Sequence, residues 1–555
     1  MDRMVRALIA WFASLWLLVG ALVAPLALVA PGEAAENPSR TALRRVLAAP
    51  ADTCAVAHLD RRQLARFYPG SSAPLLWVDT PGPLPRARRL RTALERSEEE
   101  GLPSARYGLE AIAARWDAPT PTDRACLDVL LTTAFERYGR DLATGIVAPR
   151  EADRTWHLPR AAGFDAVAAL RAARQARPAR PARPARPEEA DDPTARLEAL
   201  APRYGLYQRL RAGLARYQRL ASEGGWDTGL TAPLLRPGDQ SEHVAALRTR
   251  LEREGDLEPA GSAPDPSYDP VLAAAVRRFQ RRHGLIDDGV VGPRTLAALN
   301  TPVGTRLAQL RRAMERLRWM PRDLGDHYIF VNIAGFELTV VEHDRAVLAM
   351  RVVVGMTDQP TPSFRATLKT LTINPYWNVP ERIARDRLVP REQRNPGYLA
   401  AHGFRVLDRQ TGTWREPDAA ALEGSTPRIR QEPGPDNLMG RLSFAFPNPY
   451  DVFLHDSPAR SLFAREIRAC SEGCVRIERA MALALHTLRQ APEWTPGRIH
   501  EEIDALHHRV LPLPEPLPVY VVYLPSWVDE AGLAHFHPDH YGRETVLAWE
   551  YPAEP

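Results

Sequence analysis

The spacing of apolar residues changes from helical to strand-like near residue 328, and this change limits the chain to a mixed fold. Apolar residues recur at helical spacing in 127–138 and 307–317, whereas Ile329, Val331 and Ile333 alternate as in a strand. A chain of 555 residues also exceeds what one hydrophobic core usually supports. We therefore expect an α+β multidomain protein in which helical regions precede a β-rich domain.

The N-terminus has the pattern of an export signal. Arg3 and Arg6 precede an uncharged apolar run over 7–30, and the small residues Gly32 and Ala34 follow it. We expect residues 1–34 to be a signal peptide, although the run is also long enough for a membrane anchor. Either form places the rest of the protein outside the cytoplasm. In that oxidising compartment a disulfide between Cys54 and Cys126 is one hypothesis.

Three further regions follow the signal segment. Residues 35–232 have mostly helical spacing, but 177–193 reads RPARPARPARPEEADDP, in which proline at every third position excludes helix interior and central strand. This tract is interpreted as an exposed linker. Residues 233–302 form a compact helical pattern. The last region runs from 303 to the C-terminus. After the helix at 307–317 we expect it to be β-rich from about residue 322, with one helix at about 478–488.

A histidine and a cysteine carry the strongest chemical signal. The segment FLHDSPARSLFAREIRACSEGCVRI spans residues 453–477. A predicted strand ends at His455, and Cys474 follows 19 residues later. Gly473 permits a tight turn whose amides can stabilise an oxyanion. A thiol needs a nearby base to attack at neutral pH, and imidazole is the usual one. We predict that a neighbouring strand brings Cys474 beside His455, a contact that spacing alone does not prove.

This segment resembles the catalytic motif of the YkuD-type L,D-transpeptidases, a histidine followed by Ser-x-Gly-Cys-[Val/Ile]-Arg. Similarity to the long Gram-negative members extends over INPYWNVP at 373–380, QEPGPDNLMG at 431–440 and SWVDEAGLAHFHPDHYG at 526–542. The stretch AVRRFQRRHGLIDDGVVGPRTLAALN resembles a small three-helix peptidoglycan-binding domain. The resemblance implies a scaffold region, that binding domain, and a lid-like capsule inserted at about 378–436 of the catalytic domain.

The resemblance also implies roles for single residues. Cys474 matches the nucleophile and His455 the base, which a backbone carbonyl, here that of Asp456, would orient. The other matched positions shape the site (Ser471, Gly473, Arg476) or lie near the substrate cleft (Tyr376, Trp377, Asn437, with Asp456 added). For Tyr376, Trp377 and Asn437, structural packing is the alternative.

The implied reaction is acyl transfer on peptidoglycan in the periplasm, with no cofactor and no metal. Cys474 would attack the diaminopimelate–D-Ala bond of a tetrapeptide stem, and an amine acceptor would form a 3→3 cross-link. Water or a lipoprotein lysine are alternative acceptors. Expected partners are stem peptides and glycan, other wall synthases and D,D-carboxypeptidases, and carbapenems should acylate the thiol. A net charge of +4 gives no reason to expect nucleic acid.

Two competing hypotheses remain open from the sequence. One is a zinc site built from His455, Cys470 and Cys474, with the His-Pro-Asp-His at 537–540 as a conceivable contributor, although a fourth ligand is missing. The other is a wall-binding protein without catalysis. Cys470 is either a passive thiol or a partner that cross-links to Cys474 and silences it.

Overall fold

The computed structural model describes residues 38–48, 54, 61–68, 74–80, 82–161, 163–175, 194–231, 234–259, 265–408, 410–418, 422 and 427–551. The predicted export signal at 1–34 and the 177–193 tract lie outside the described residues. Within those ranges, no helix combines the length and the apolar character that crossing a membrane requires.

Helices dominate the chain before residue 320, as predicted. They are Pro38–Ala48, Arg61–Phe67, Pro85–Glu95, Leu109–Ala113, Pro121–Thr144, Pro149–Ala152, Ala166–Gln175, Ala195–Glu198, Gly205–Ser222, Glu242–Glu254, Pro270–Arg282, Pro293–Leu299 and Val303–Arg318. A two-stranded hairpin, β1 (Val78–Asp79) and β2 (Gly82–Pro83), interrupts them. The described residues divide into two compact units: the first comprises those up to residue 91 together with 108–134, and the second comprises 92–107 together with those from 135 onward.

In the first unit, a disulfide joins Cys54 and Cys126, whose Cα atoms are 5.4 Å apart, so the proposed pairing is confirmed. The buried carboxylate of Asp128 accepts hydrogen bonds from the amides of Leu76, Trp77 and Val78. Burial raises the pKa of this carboxyl group even though these amides favour its charged form. This contact has no local sequence signal, because residues about fifty positions apart form it.

Within the second unit, the helices Glu242–Glu254, Pro270–Arg282 and Pro293–Leu299 pack around one small apolar core that includes Val244, Leu251 and Phe279. The middle helix begins with a favourable cap: the side chain of Asp269 accepts a hydrogen bond from the amide of Leu272, and Pro270 occupies the first turn. This is the predicted three-helix unit.

Strands dominate the chain after residue 326. They are β3 (His327–Asn332), β4 (Glu337–Glu342), β5 (Arg345–Gly355), β6 (Phe364–Ile373), β7 (Trp377–Asn378), β8 (Phe404–Leu407), β9 (Trp414–Arg415), β10 (Ile429–Gln431), β11 (Leu442–Ala445), β12 (Leu454–His455), β13 (Ala469–Ser471), β14 (Val475–Ile477), β15 (Arg509–Val522), β16 (Ser526–Val528) and β17 (Ala534–Phe536). The predicted α+β class is confirmed.

The main sheet closes on itself. Its strand order is β13-β5-β14-β12-β11-β6-β15-β3-β4, and β4 also pairs with β5. The long strand β5 allows closure, because its first half pairs with β4 and its second half with β14. Inward-facing residues such as Val331, Leu368 and Val521 are fully buried and form the core.

The prediction of one helix in this domain was wrong. The helix expected at 478–488 is present as Ala480–Thr487, but Pro496–Asp504 and Thr545–Glu550 are also helical. Thr495 caps the helix Pro496–Asp504 through a hydrogen bond from the amide of Arg498, and Ile499 and Ile503 bury its inner face. Threonine followed by proline is a helix-start signal that the sequence contains.

A second, smaller sheet is inserted between β6 and β11. Its order is β7-β10-β8-β9, and the short helices Glu381–Ile383, Val389–Arg394 and Tyr398–Ala401 accompany it. It has its own apolar core, formed by Val379, Ile383, Ala384, Leu388, Leu399, Phe404, Val406 and Ile429. The capsule boundaries of 378–436 and its action as a lid remain predictions.

Candidate active site

His455 and the strand that follows Cys474 lie side by side. The strands β12 and β14 pair in parallel, with Leu454 opposite Val475 and His455 opposite Arg476. Leu454 and Val475 are fully buried in the core, so the alternation of a strand turns His455 and Arg476 to the other face. Cys474 immediately precedes Val475, in the turn that leads into β14, so the two predicted catalytic residues lie on neighbouring segments of the chain.

The turn before Cys474 is held by side chains and by backbone conformation. Ser471 donates its hydroxyl hydrogen to the carbonyl of Cys474 at 2.6 Å and accepts the amide of Gly473 at 3.2 Å. Gly473 has a φ of +110°, which side-chain-bearing residues rarely adopt. Thr361 donates to the carbonyl of Gly473 at 2.8 Å and accepts the amide of Gly355, so the turn is fixed to the end of β5.

Fewer backbone amides near Cys474 are free to bind an oxyanion than we expected from the sequence. The amide of Gly473 is used by Ser471, and the amide of Val475 donates to the carbonyl of Phe453 at 3.0 Å. Both N–H groups therefore already donate hydrogen bonds, one within the turn and one within the sheet, because a buried amide needs a partner. Gly473 therefore contributes its conformation rather than its N–H group.

His455 is buried and its imidazole is neutral at physiological pH. Burial and the positive charge of Arg476 lower the pKa of His455 to about 4, against backbone hydrogen bonds to Asp456 and Met439 that raise it. Its Nδ1 lies 2.6 Å from the carbonyl oxygen of Asp456. A neutral imidazole that donates through Nδ1 carries its lone pair on Nε2, the form that accepts a proton.

The Cys474 thiol is also neutral before substrate arrives. Burial raises its pKa, against a backbone hydrogen bond with Phe453 and the charge of Arg476, which lower it. Its Sγ lies 3.5 Å from the carbonyl of Asp451, to which the thiol donates. Arg476 influences the pKa of both groups, and its buried Nε has no hydrogen-bond partner among the described residues.

The side chains of the residues predicted to lie near the substrate cleft make packing contacts or hydrogen bonds to the backbone. Asn437 is buried, and its amide donates to the carbonyls of Pro375 and Glu432 at 3.1 and 3.0 Å while its oxygen accepts the amide of Met439. Trp377 packs against the inserted core and Tyr376 against His508. These contacts are the structural alternative that the sequence left open, and Asn437 supports the segment next to His455.

Asp456 contributes its main chain to the histidine and its side chain to the scaffold. Its carboxylate accepts the amide of Arg441 at 3.1 Å and lies 3.4 Å from Arg460 Nη1. Gly440 packs directly on it, because an added Cβ there would lie 2.5 Å from the Asp456 Cβ. The carboxylate is therefore not the group that contacts the His455 ring.

One contact at the site was missed by the sequence analysis. Glu472, the variable position of the Ser-x-Gly-Cys motif, forms ion pairs with Arg382 and Arg387 from the inserted segment. The only sequence signal was the basic run ERIARDR at 381–387, which carries no information about its partner. The inserted segment is thus tied to the residue two positions before the cysteine.

Cys470 and Cys474 are both free and partly buried thiols. Across the described ranges, His455, Cys470 and Cys474 are not part of any group of three metal-binding side chains. His537, the candidate contributor from the C-terminal region, packs on Trp527 with ring centroids 4.8 Å apart. The zinc hypothesis for the cysteine motif therefore has no geometric support.

Comparison with known protein families gives three matches. Residues 62–214 match the Scaffold domain, residues 240–299 match a domain described as "Putative peptidoglycan binding domain", and residues 326–497 match the YkuD L,D-transpeptidase catalytic domain. A Haemophilus influenzae protein described as "Putative L,D-transpeptidase" is 33% identical over 237 residues, which are 42% of this chain and 47% of that relative. The match thus spans about half the length of the curated relative.

Solved structures of L,D-transpeptidases are similar at lower identity. One from Xylanimonas cellulosilytica is 18% identical, covering 53% of this chain and 99% of its own, with a TM-score of 0.17. One from Stackebrandtia nassauensis is 15% identical, covering 52% and 94%, with a TM-score of 0.20. The family matches by themselves show that the chain contains a YkuD L,D-transpeptidase catalytic domain at residues 326–497, preceded by a scaffold domain and a peptidoglycan-binding domain.

Proposed function

We propose that this protein is a periplasmic peptidoglycan L,D-transpeptidase in which Cys474 is the nucleophile and His455 the general base. The observation that carries the proposal is the parallel pairing of β12 with β14, in which His455 lies opposite Arg476, two residues after Cys474. The family match of residues 326–497 supports it. The peptidoglycan-binding domain supports glycan as the polymer that the protein contacts.

The proposed reaction starts from a neutral thiol and a neutral imidazole. Nε2 of His455 takes the thiol proton as Sγ attacks the diaminopimelate carbonyl of a tetrapeptide stem. The amide of Cys474, which lies between the two consumed amides, is the candidate donor to the oxyanion. The imidazolium then protonates the departing D-Ala amine. A neutral stem-peptide amine attacks the thioester, gives up a proton to His455 and expels the Cys474 sulfur, which forms the 3→3 cross-link.

Purified disaccharide-tetrapeptide tests the proposal directly. Incubation with the protein should release D-Ala and yield cross-linked dimers that mass spectrometry resolves. Disaccharide-tripeptide without dimers would instead assign an L,D-carboxypeptidase, with water as acceptor. If the tetrapeptide stays unchanged, both alone and with a lipoprotein C-terminal peptide added as acceptor, only a wall-binding role is left.

The pH dependence of the reaction should follow the lowered pKa of His455. Because protonation removes the base, kcat/KM should fall as the pH drops, with a midpoint near the pKa of about 4 and well below the ordinary 6.5. Arg476→Gln removes a charge that opposes protonation, so its midpoint should move to higher pH. A wild-type midpoint at or above 6.5, or an unmoved midpoint in the variant, would contradict the assignment.

We further propose that the inserted segment is a lid that Glu472 holds closed. The carboxylate of Glu472 binds two arginines at once, while the lid core packs independently of the main sheet. Exposed ion pairs contribute only about 0–1 kcal/mol each, so the lid is held weakly enough to open for substrate. A closed lid excludes water and favours the amine acceptor.

Glu472→Gln should raise the ratio of hydrolysed tripeptide to cross-linked dimer by about two- to fivefold, the size expected from one weak ion-pair cluster. Muropeptide chromatography of the products measures this ratio. Glu478→Gln is the matched control, because Glu478 also pairs with an arginine, Arg351, but outside the inserted segment. An equal change in both variants, or none in Glu472→Gln, would contradict the lid.

A further inference from the structure

Away from the cysteine, a cluster of two histidines and a glutamate lies where three elements of the catalytic domain meet. His327 begins β3, Glu342 ends β4, and His486 lies in the last turn of the helix Ala480–Thr487. Their side chains are 13%, 27% and 16% exposed. The proposed transpeptidase chemistry uses none of them.

The three ligand atoms form a nearly regular triangle. Nε2 of His327 lies 3.0 Å from Nε2 of His486, and Oε1 of Glu342 lies 3.5 and 3.6 Å from these two atoms. A triangle with these edges has a centre about 2.0 Å from each corner, which equals the ordinary length of zinc–nitrogen and zinc–oxygen bonds. Two imidazoles and one carboxylate also form a common catalytic-type ligand set that leaves a fourth position for water.

Arg489 supplies the positive charge of this cluster in the structure. Its Nη1 binds Glu342 and lies 3.1 Å from Nε2 of His486, and its Nη2 lies 3.3 Å from Nδ1 of His327. The guanidinium thus occupies the acceptor atoms of Glu342 and His486 that a metal ion would use, whereas on His327 it contacts Nδ1 and not the ligand atom Nε2. Its side chain is 38% exposed, so it can turn into solvent when a divalent cation replaces it.

A second carboxylate is positioned to orient one of the histidines. Oε1 of Glu515 lies 3.6 Å from Nδ1 of His327. When Nε2 binds a metal, Nδ1 carries the proton and needs an acceptor, which a carboxylate commonly supplies. Glu515 can face this ring because β15 shifts register between Pro512 and Leu517, where Pro514 and Pro516 cannot donate to the sheet.

We propose that His327, Glu342 and His486 form a Zn²⁺ site that Arg489 fills in the metal-free protein. Zinc bound there links β3, β4 and the helix that follows the cysteine strand, so it stabilises the catalytic domain. Glu342 pairs with Arg345 at the start of β5, whereas Arg476 pairs with Val353 near the other end of that strand, so the zinc site lies away from Cys474 and is independent of the acyl-transfer chemistry. The site also involves neither Cys470 nor Cys474.

Isothermal titration of the tag-free full chain with ZnCl₂ tests this site, with thermal unfolding as a second readout. We expect one Zn²⁺ per chain and a raised Tm, since a ligand that binds only the folded state stabilises it. His486→Asn and Glu342→Gln should each weaken binding by about tenfold or more, because each removes a ligand atom. His500→Asn, an exposed histidine outside the cluster, is the matched control and should keep wild-type affinity.

Arg489→Gln gives a gain of affinity that misfolding cannot mimic. Removing the competing guanidinium should tighten Zn²⁺ binding by about threefold or more, as expected when one exposed ion pair no longer has to be broken. Cys474→Ala should bind Zn²⁺ as the wild type does. The proposal is overturned if the wild type binds no Zn²⁺, if the ligand variants bind it normally, if Arg489→Gln binds it more weakly, or if Cys474→Ala loses it.

Discussion

Cys474→Ala should abolish D-Ala release from tetrapeptide muropeptides while leaving the fold intact. No other side chain in the proposed mechanism can form the thioester, so activity should fall by more than about 10³-fold, as for the loss of a nucleophile. The fold should survive because hydrogen bonds of a thiol are weak, such as the one to the carbonyl of Asp451 at 3.5 Å. A coupled D-amino-acid assay measures the release, and thermal unfolding measures the stability.

Cys470→Ala is the matched control for this substitution. It removes the same group four residues upstream, on β13, from a thiol that is equally free and partly buried. If Cys470 is passive, this variant keeps its activity. If Cys470→Ala is inactive while Cys474→Ala still releases D-Ala, the nucleophile has been assigned to the wrong sulfur.

His455→Gln should lower kcat/KM by about 10²–10⁴-fold, the usual contribution of a positioned general base. Glutamine is neutral like the imidazole it replaces and can still donate to the Asp456 carbonyl, but it cannot accept the thiol proton. The remaining activity should rise with pH, because hydroxide then generates the thiolate whose pKa burial has raised. Steady-state kinetics over a pH series measures both effects.

The Asp456→Asn variant distinguishes two mechanisms. In one, the backbone carbonyl of Asp456 orients His455; in the other, its carboxylate does so as part of a catalytic triad. The carbonyl that lies 2.6 Å from His455 Nδ1 is unchanged by this substitution. We expect a loss of less than about tenfold, far below that of His455→Gln. A loss as large as that of the histidine variant would assign the Asp456 carboxylate to the mechanism.

Local signals in the sequence predicted much of the fold. Periodicity identified the helices at 127–138 and 307–317 and the strand that begins the β-rich domain, because burial on one face determines spacing. The helix Pro496–Asp504 was missed even though Thr495 and Pro496 mark its start. Strand order was not predictable: β15 pairs with β3 and β14 with β5 through contacts between residues far apart in the sequence, which no local pattern encodes.

The residue types that the proposed chemistry requires could be predicted from the sequence. Their contacts with residues far away in the sequence could not. His455 and Cys474 were predicted because a thiol requires a base, and the strand that ends at His455 does pair with the strand that follows Cys474. The effect of Arg476 on both pKa values and the binding of Glu472 by Arg382 and Arg387 required the folded chain. The amides expected around Gly473 were overestimated, because the sequence does not show that Ser471 and the sheet already use them.

Mass spectrometry after carbapenem labelling tests the central claim most directly. Cleavage by trypsin gives the peptide ACSEGCVR, residues 469–476, which contains both free cysteines. Fragmentation then assigns the covalent adduct to one sulfur. If Cys474 is the nucleophile activated by His455, the wild type carries one adduct, on Cys474, and His455→Gln is labelled much more slowly. An adduct on Cys470 would contradict the assignment of the nucleophile. So would a protein that cleaves tetrapeptide but is neither labelled nor inhibited by the carbapenem.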